Sequence, residues 1–157
     1  MPRVLCAVIG AAAVASTAVL GVGSAAAATE SSPEISWVAR NVVVSGTDPD
    51  QATVMAKYRC SGQGFHLWAS VKQGPQITET QNTSNFARSW YETPEGPTPV
   101  CDGKNHVIRY TVTRAEGWEQ LRNGRAWVQF VFFYDNGTEM GGRAADVDWA
   151  TVRGARR

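Results

Sequence analysis

Behind a long apolar stretch at its front, the chain alternates apolar and polar positions with a period of two, which marks half-buried strands. Ala52, Val54, Ala56, Tyr58 and Cys60 alternate with Thr53, Met55, Lys57 and Arg59. Phe65, Leu67, Ala69 and Val71 alternate with His66, Trp68, Ser70 and Lys72. The turn Ser61-Gly62-Gln63-Gly64 between these runs makes them read as an antiparallel hairpin. Val42-Val43-Val44 is a shorter β-branched run, ended by the turn cluster Ser45 to Asp50. Further on, Ile108, Tyr110 and Val112 share one face of a strand, and Val107, Arg109 and Thr111 share the other. Ala126, Val128, Phe130, Phe132 and Tyr134 alternate with Trp127, Gln129, Val131 and Phe133, a strand apolar enough to be central and buried on both faces. Asp135-Asn136-Gly137 then signals a hairpin turn, because Asn-Gly accepts the positive φ angles of type I′. A last strand is expected around Ala145 to Val152. Ala115 to Leu121 can form a helical turn.

Gln76 to Pro99 breaks the pattern. It is polar and rich in Thr, Ser, Asn, Glu and Pro. Thr78 to Thr83 can supply a short edge strand, and Phe86 to Tyr91 is an aromatic island that suits another. Six to eight short strands with turns every eight to twelve residues predict an all-β fold, an antiparallel immunoglobulin-like β-sandwich. It is not expected to be a true immunoglobulin domain, because the second cysteine precedes a strand where such a domain places it inside one.

The front of the chain changes the cysteine arithmetic. Arg3, the uncharged apolar run Val4 to Val22 and the small residues Ser24 to Ala28 read as a secretory signal peptide over residues 1–28. Its removal takes Cys6 and leaves Cys60 and Cys101, which in an oxidising compartment are expected to form a disulfide. Closing that loop should stabilise the fold by roughly 4 kcal/mol on the chain-entropy model. The domain reading is therefore 1–28 signal peptide, 29–40 polar leader, 41–153 β-sandwich and 154–157 basic tail. After cleavage the protein is expected to be secreted, with no stable membrane insertion.

Charge excludes one class of partner. The chain has 15 basic and 14 acidic residues, and loss of Arg3 makes the two counts equal. The signs are interspersed, which points away from nucleic acid.

Four short stretches, in order, are Tyr58-Arg59-Cys60, Val71-Lys72-Gln73-Gly74, Val100-Cys101-Asp102-Gly103 with His106 three further on, and Gly124-Arg125-Ala126-Trp127-Val128. The pattern Y-x-C, Q-G, C-D-G-x-x-H and G-x-A-x-V resembles small secreted actinobacterial single-disulfide β-domains of unknown function, over roughly residues 41–135. The resemblance implies an exported single-disulfide β-fold and brings no activity with it.

Catalytic chemistry finds little support. The two histidines are His66, on the polar face of its strand, and His106, after the Cys-Asp-Gly turn. One of them can be paired on paper with Asp102 and with Ser61 or Ser70, but a surface histidine and a turn histidine account for both. No nucleophile-elbow, zinc-protease or phosphate-loop motif occurs. The pairs Asp48/Asp50 and Asp146/Asp148 lack the rest of a calcium loop. No enzyme activity, cofactor or metal is expected. Binding is better supported, because all six tryptophans follow residue 28. Trp68, Trp90, Tyr91 and Trp127 are candidate binding residues that can stack on sugar rings or anchor a protein. The expected function is a non-catalytic binding or cell-envelope module for an extracellular protein or glycan. Carbohydrate binding through those aromatics is one alternative. The other is inhibition of a hydrolase by the segment Thr93 to Pro99.

Overall fold

The computed structural model describes residues 32–93, 98–135 and 140–155. The signal-peptide reading of 1–28 lies outside them. Eight strands follow in order: β1 (Glu34–Val38), β2 (Asn41–Val44), β3 (Gln51–Ser61), β4 (Phe65–Gln73), β5 (Ser89–Glu92), β6 (Asp102–Arg114), β7 (Gly124–Asp135) and β8 (Met140–Arg153). A 3₁₀ turn at Ser84–Phe86 precedes β5. Strand β1 forms where the chain reads as a polar leader. The segments 78–83 and 115–121 form neither strand nor helix.

The all-β expectation holds, but the sandwich does not. The strands form one sheet that closes on itself as a seven-strand mixed β-barrel. Around the ring run β3, β2, β8, β7, β4, β5 and β6, and the β3–β6 pairing closes it. That seam is long, from Gln51↔Thr113 to Ser61↔Asp102. A sandwich would leave β3 and β6 at sheet edges, whereas here their backbone groups satisfy each other. Strand β1 lies on the same edge of β3 as β2, one register block further along. The β2–β8 pairing is parallel, which makes the barrel mixed.

The expected β3–β4 hairpin is also absent. Strand β3 pairs with β1, β2 and β6, and β4 pairs with β5 and β7. The two lie on opposite sides of the ring. Gly62 (φ 103°) and Gly64 (φ 78°) adopt left-handed backbone angles that other residues rarely accept, and they carry the chain across the barrel mouth.

The apolar half of each alternating run faces inward. Side chains fill the barrel, with Tyr58 edge-on to Phe132 at 5.5 Å and Tyr110 tilted against Phe130 at 6.0 Å. Tyr58, Tyr110, Phe130 and Phe132 are all within 2% of full burial.

Each end of the barrel is braced. At the β3 C-terminal end, Cys60 and Cys101 form the expected disulfide, 41 residues apart. Beside it the Tyr58 hydroxyl accepts the Val100 N–H at 2.9 Å. At the other end Leu121 enters the core, and its N–H donates to the Tyr91 hydroxyl. That hydroxyl in turn donates to the Pro49 carbonyl at 2.7 Å. Gln73 clamps the turn into β7, accepting the Arg122 N–H and donating to the carbonyls of Arg122 and Arg125. The hairpin signal at 136–137 lies outside the described residues, but β7 and β8 pair antiparallel on either side of it.

Candidate functional site

With the interior filled, function rests on the outward half of each strand. Two outer faces differ sharply, and the difference comes from which residue types the alternation turns outward.

The first face belongs to β5, β4, β7 and β8. Directly opposed residues share a face, so the register sets Trp90, Lys72, Trp127 and Trp149 side by side across four strands. The next row is Glu92, Ser70, Gln129 and Val147. Apart from Val147, which is 39% exposed, these side chains are buried or half-buried. Trp127 is 4% exposed and stands edge-on to Trp149 at 5.0 Å. The Arg125 guanidinium lies 3.5 Å over the Trp149 ring. Trp118 packs on Trp90 at 5.7 Å. Lys72, also 4% exposed, places its ammonium 5.9 Å from Trp68 and 5.6 Å from Trp90, and donates to Gln129 Oε1 at 2.9 Å. Burial pushes its pKa down, and Glu92 partly opposes the shift. Among the described residues, Ser70 Oγ and the indole nitrogens of Trp90, Trp127 and Trp149 are buried without a hydrogen-bond partner.

Three of the four sequence candidates therefore meet on this face: Trp68, Trp90 and Trp127. Tyr91 does not join them. It follows Trp90 by one residue, so the period of two turns it inward, where it is fully buried and hydrogen-bonded at the barrel end. Trp127 is part of a tightly packed outer layer. It presents no ring face to solvent, because Trp149 stands against it. Of the segment Thr93 to Pro99, residues 94–97 lie outside the described residues, and Thr93 is buried with its hydroxyl accepting the Ala69 N–H.

The second face belongs to β1, β2, β3 and β6, and it is open. Trp37, Lys57 and Val107 form one row across β1, β3 and β6. Met55 and Arg109 form the next. Trp37 is 45% exposed, Val43 52% and Val107 60%, which makes an apolar patch on the outer wall of the barrel. A groove of about 340 Å³ runs between Trp37, Val43, Met55 and Arg109, with Arg40 and Asn41 at its side. Sequence reasoning passed over this site for two reasons. Trp37 sits in the stretch read as a leader, and β3 and β6 join only when the barrel closes. A signal existed all the same: Val107 is an apolar residue on the polar face of its strand.

His66 shares the outward half of β4 with Trp68, and His106 lies apart from both faces. His66 is exposed. His106 sits at the barrel mouth, its Nε2 2.7 Å from Asp102 Oδ1 and its ring tilted over Tyr58 at 5.7 Å. That hydrogen bond, then the Lys104 N–H, hold the Asp102 carboxyl below the usual carboxylate range. The Asp102–His106 pair spans the register shift of the β3–β6 ladder where Gly103 (φ 80°) lies, a bracing role at the end of the seam. Of the residues that carry the sequence resemblance, Tyr58, Cys60, Gln73, Cys101, Asp102 and His106 serve the barrel ends, whereas Ala126 and Val128 lie in the core. Among the described residues no group of three or more His, Cys, Asp or Glu is placed to hold a metal ion. No family model matches the chain, and no curated protein is similar to it.

Proposed function

We propose that this protein is a secreted, non-catalytic binding module of the extracellular or cell-envelope space, and that it binds through the open face of β1, β2, β3 and β6. The observation that carries the reading is the contrast between the two outer faces. On β4, β5, β7 and β8 the outward aromatics are packed against one another, whereas Trp37 stands half exposed beside Val43 and Val107. Contiguous exposed apolar surface with a polar rim is costly in water and is the usual mark of a binding surface. The packed barrel interior supports a surface role, and the disulfide agrees with an oxidising compartment.

The test is co-sedimentation of the protein with cell-envelope material from the producing organism. Wild type is expected in the pellet. Trp37→Ala should stay in solution while keeping its urea midpoint, because Trp37 contributes little to the core. Arg122→Ala, at the barrel end, should behave as wild type. Equal retention of Trp37→Ala and wild type would remove the basis for this surface.

A further inference from the structure

Resting on that open face as the binding surface, we infer that its ligand is an acidic glycan, a chain of sugar rings that carry carboxylates. The argument starts from charge. Arg40, Lys57, Arg59 and Arg109 are all exposed on or beside this face. Its two long strands, Gln51–Ser61 and Asp102–Arg114, carry a single acidic residue, Asp102 at the end of β6, and His106 engages it. Among the described residues two carboxylates reach these cations: Glu34 meets Arg59 at 3.4 Å, and Asp148 meets Arg40 at 3.1 Å. Among the described residues Lys57 and Arg109 meet none. An incoming carboxylate would displace only water from these two, and the exposed pairs of the other two are weak enough to exchange. An arginine fork also fits a carboxylate with two parallel hydrogen bonds.

Charge alone would suit any anion. The aromatic and neutral polar groups narrow the choice. Trp37 offers an indole beside Lys57, on strands about 4.8 Å apart. An indole takes the C–H face of a sugar ring, with the ring's polar substituents directed to its edge. Thr53 and Asn41 lie along the groove, and Thr111 opposes Thr53 on β6, so hydroxyl and amide partners follow along the strands from the aromatic. A sugar ring on Trp37 would set its substituents over Lys57, and the next unit would reach Arg109, about 7 Å further along the strand direction. A single-stranded nucleic acid would call for successive stacking aromatics and a continuous basic track. This face has one exposed tryptophan and two unmatched cations. An acidic peptide would use the cations but leave the indole and hydroxyl partners without a specific role.

The experiment is calorimetric titration of the full chain with polygalacturonate, dextran, poly-glutamate and a single-stranded oligonucleotide. Polygalacturonate should bind about tenfold or more tighter than the other three, and more weakly as salt rises. Trp37→Ala and the double variant Lys57→Ala/Arg109→Ala should each weaken it by about tenfold or more, and Arg122→Ala should not. Matching urea midpoints confirm that each variant is folded. Equal or tighter binding of poly-glutamate or the oligonucleotide, or indifference to Trp37→Ala, overturns the glycan assignment. If envelope material is retained through Trp37 but polygalacturonate is not bound, this inference falls and the binding-module reading stands. If neither occurs, both fall.

Discussion

Arg114 holds Asp50 with two nitrogens at once, Nε to Oδ1 at 2.9 Å and Nη2 to Oδ2 at 2.8 Å, across 64 residues of sequence. The same guanidinium donates to the Trp118 carbonyl at 2.7 Å, and Gln120 donates to Asp50 Oδ1 at 2.8 Å. One carboxylate thus ties the start of β3 to the end of β6 and to the loop that places Leu121 in the core. It anchors the seam at the end opposite the disulfide.

The consequence is a defined acid response. The hydrogen bond from Arg114, then that from Gln120, hold the Asp50 pKa below its ordinary value of 3.8. A carboxylate depressed in the folded state adds stability above its unfolded pKa, and that stability is lost as pH falls through the folded value. Asp50→Asn should therefore lower the urea midpoint at neutral pH. The gap to wild type should narrow as pH falls below 3.8 and through the lowered folded value, because protonation removes the charge that Arg114 binds. A gap that stays constant with pH would show that the bidentate pair is not the source.

At the other end the prediction concerns loop entropy. Cys60 and Cys101 close a loop that spans 41 positions. The double variant Cys60→Ala/Cys101→Ala should lose about 2–5 kcal/mol, chiefly by freeing the unfolded chain. The slope of stability against urea should also rise, because an unlinked unfolded chain exposes more surface. The Tyr58–Val100 hydrogen bond sits beside the bridge and keeps the two segments adjacent, so the variant should still fold. Failure of the midpoint to move would mean that the hydrogen bond and the seam hold this end without the crosslink.

The strands were legible from sequence because a period of two is a local property. Ala52 to Cys60 alternate inward along β3 as the pattern requires, and so do Ala126 to Phe132 along β7. Closure was not legible. The Ala52↔Val112 pairing joins residues that no local pattern connects, and a four-residue turn at 61–64 looks the same whether it folds a hairpin or crosses a barrel mouth. The site followed the same division. Trp68 and Trp127 are legible because each lies on the outward half of an alternating strand, and Trp90 because it stands in the aromatic island of the polar segment. That they would bury one another depended on β4 being the neighbour of both β5 and β7. Trp37, Lys57 and Arg109 come together only through the seam.

The packed face carries a prediction of its own, because Lys72 is a buried cation with no carboxylate within ion-pair distance among the described residues. Its ammonium rests on Gln129 Oε1 and on the faces of Trp68 and Trp90. Burial lowers its pKa from 10.5, so desolvation of the charged form works against folding at neutral pH. Below the lowered folded value both states are protonated and the cost is fully present. As pH rises from there to 10.5, the folded chain releases its proton first and the cost is relieved. Lys72→Met keeps the aliphatic volume under the tryptophans and removes the charge. Gln129 is half-buried, so its freed carbonyl can turn to water. The variant should match wild type at neutral pH or exceed it by on the order of 1 kcal/mol, and its lead should shrink as pH approaches 10.5. Tyr58, Tyr91 and Tyr110 all have raised pKa values through burial, so both proteins should lose stability above the unfolded tyrosine value of 10.0. The informative quantity is therefore the difference between their urea midpoints across pH. If Lys72→Met is the less stable protein by the same amount at every pH, the contacts to Gln129 and the two indoles outweigh desolvation. The lysine would then be a structural keystone of the tryptophan layer.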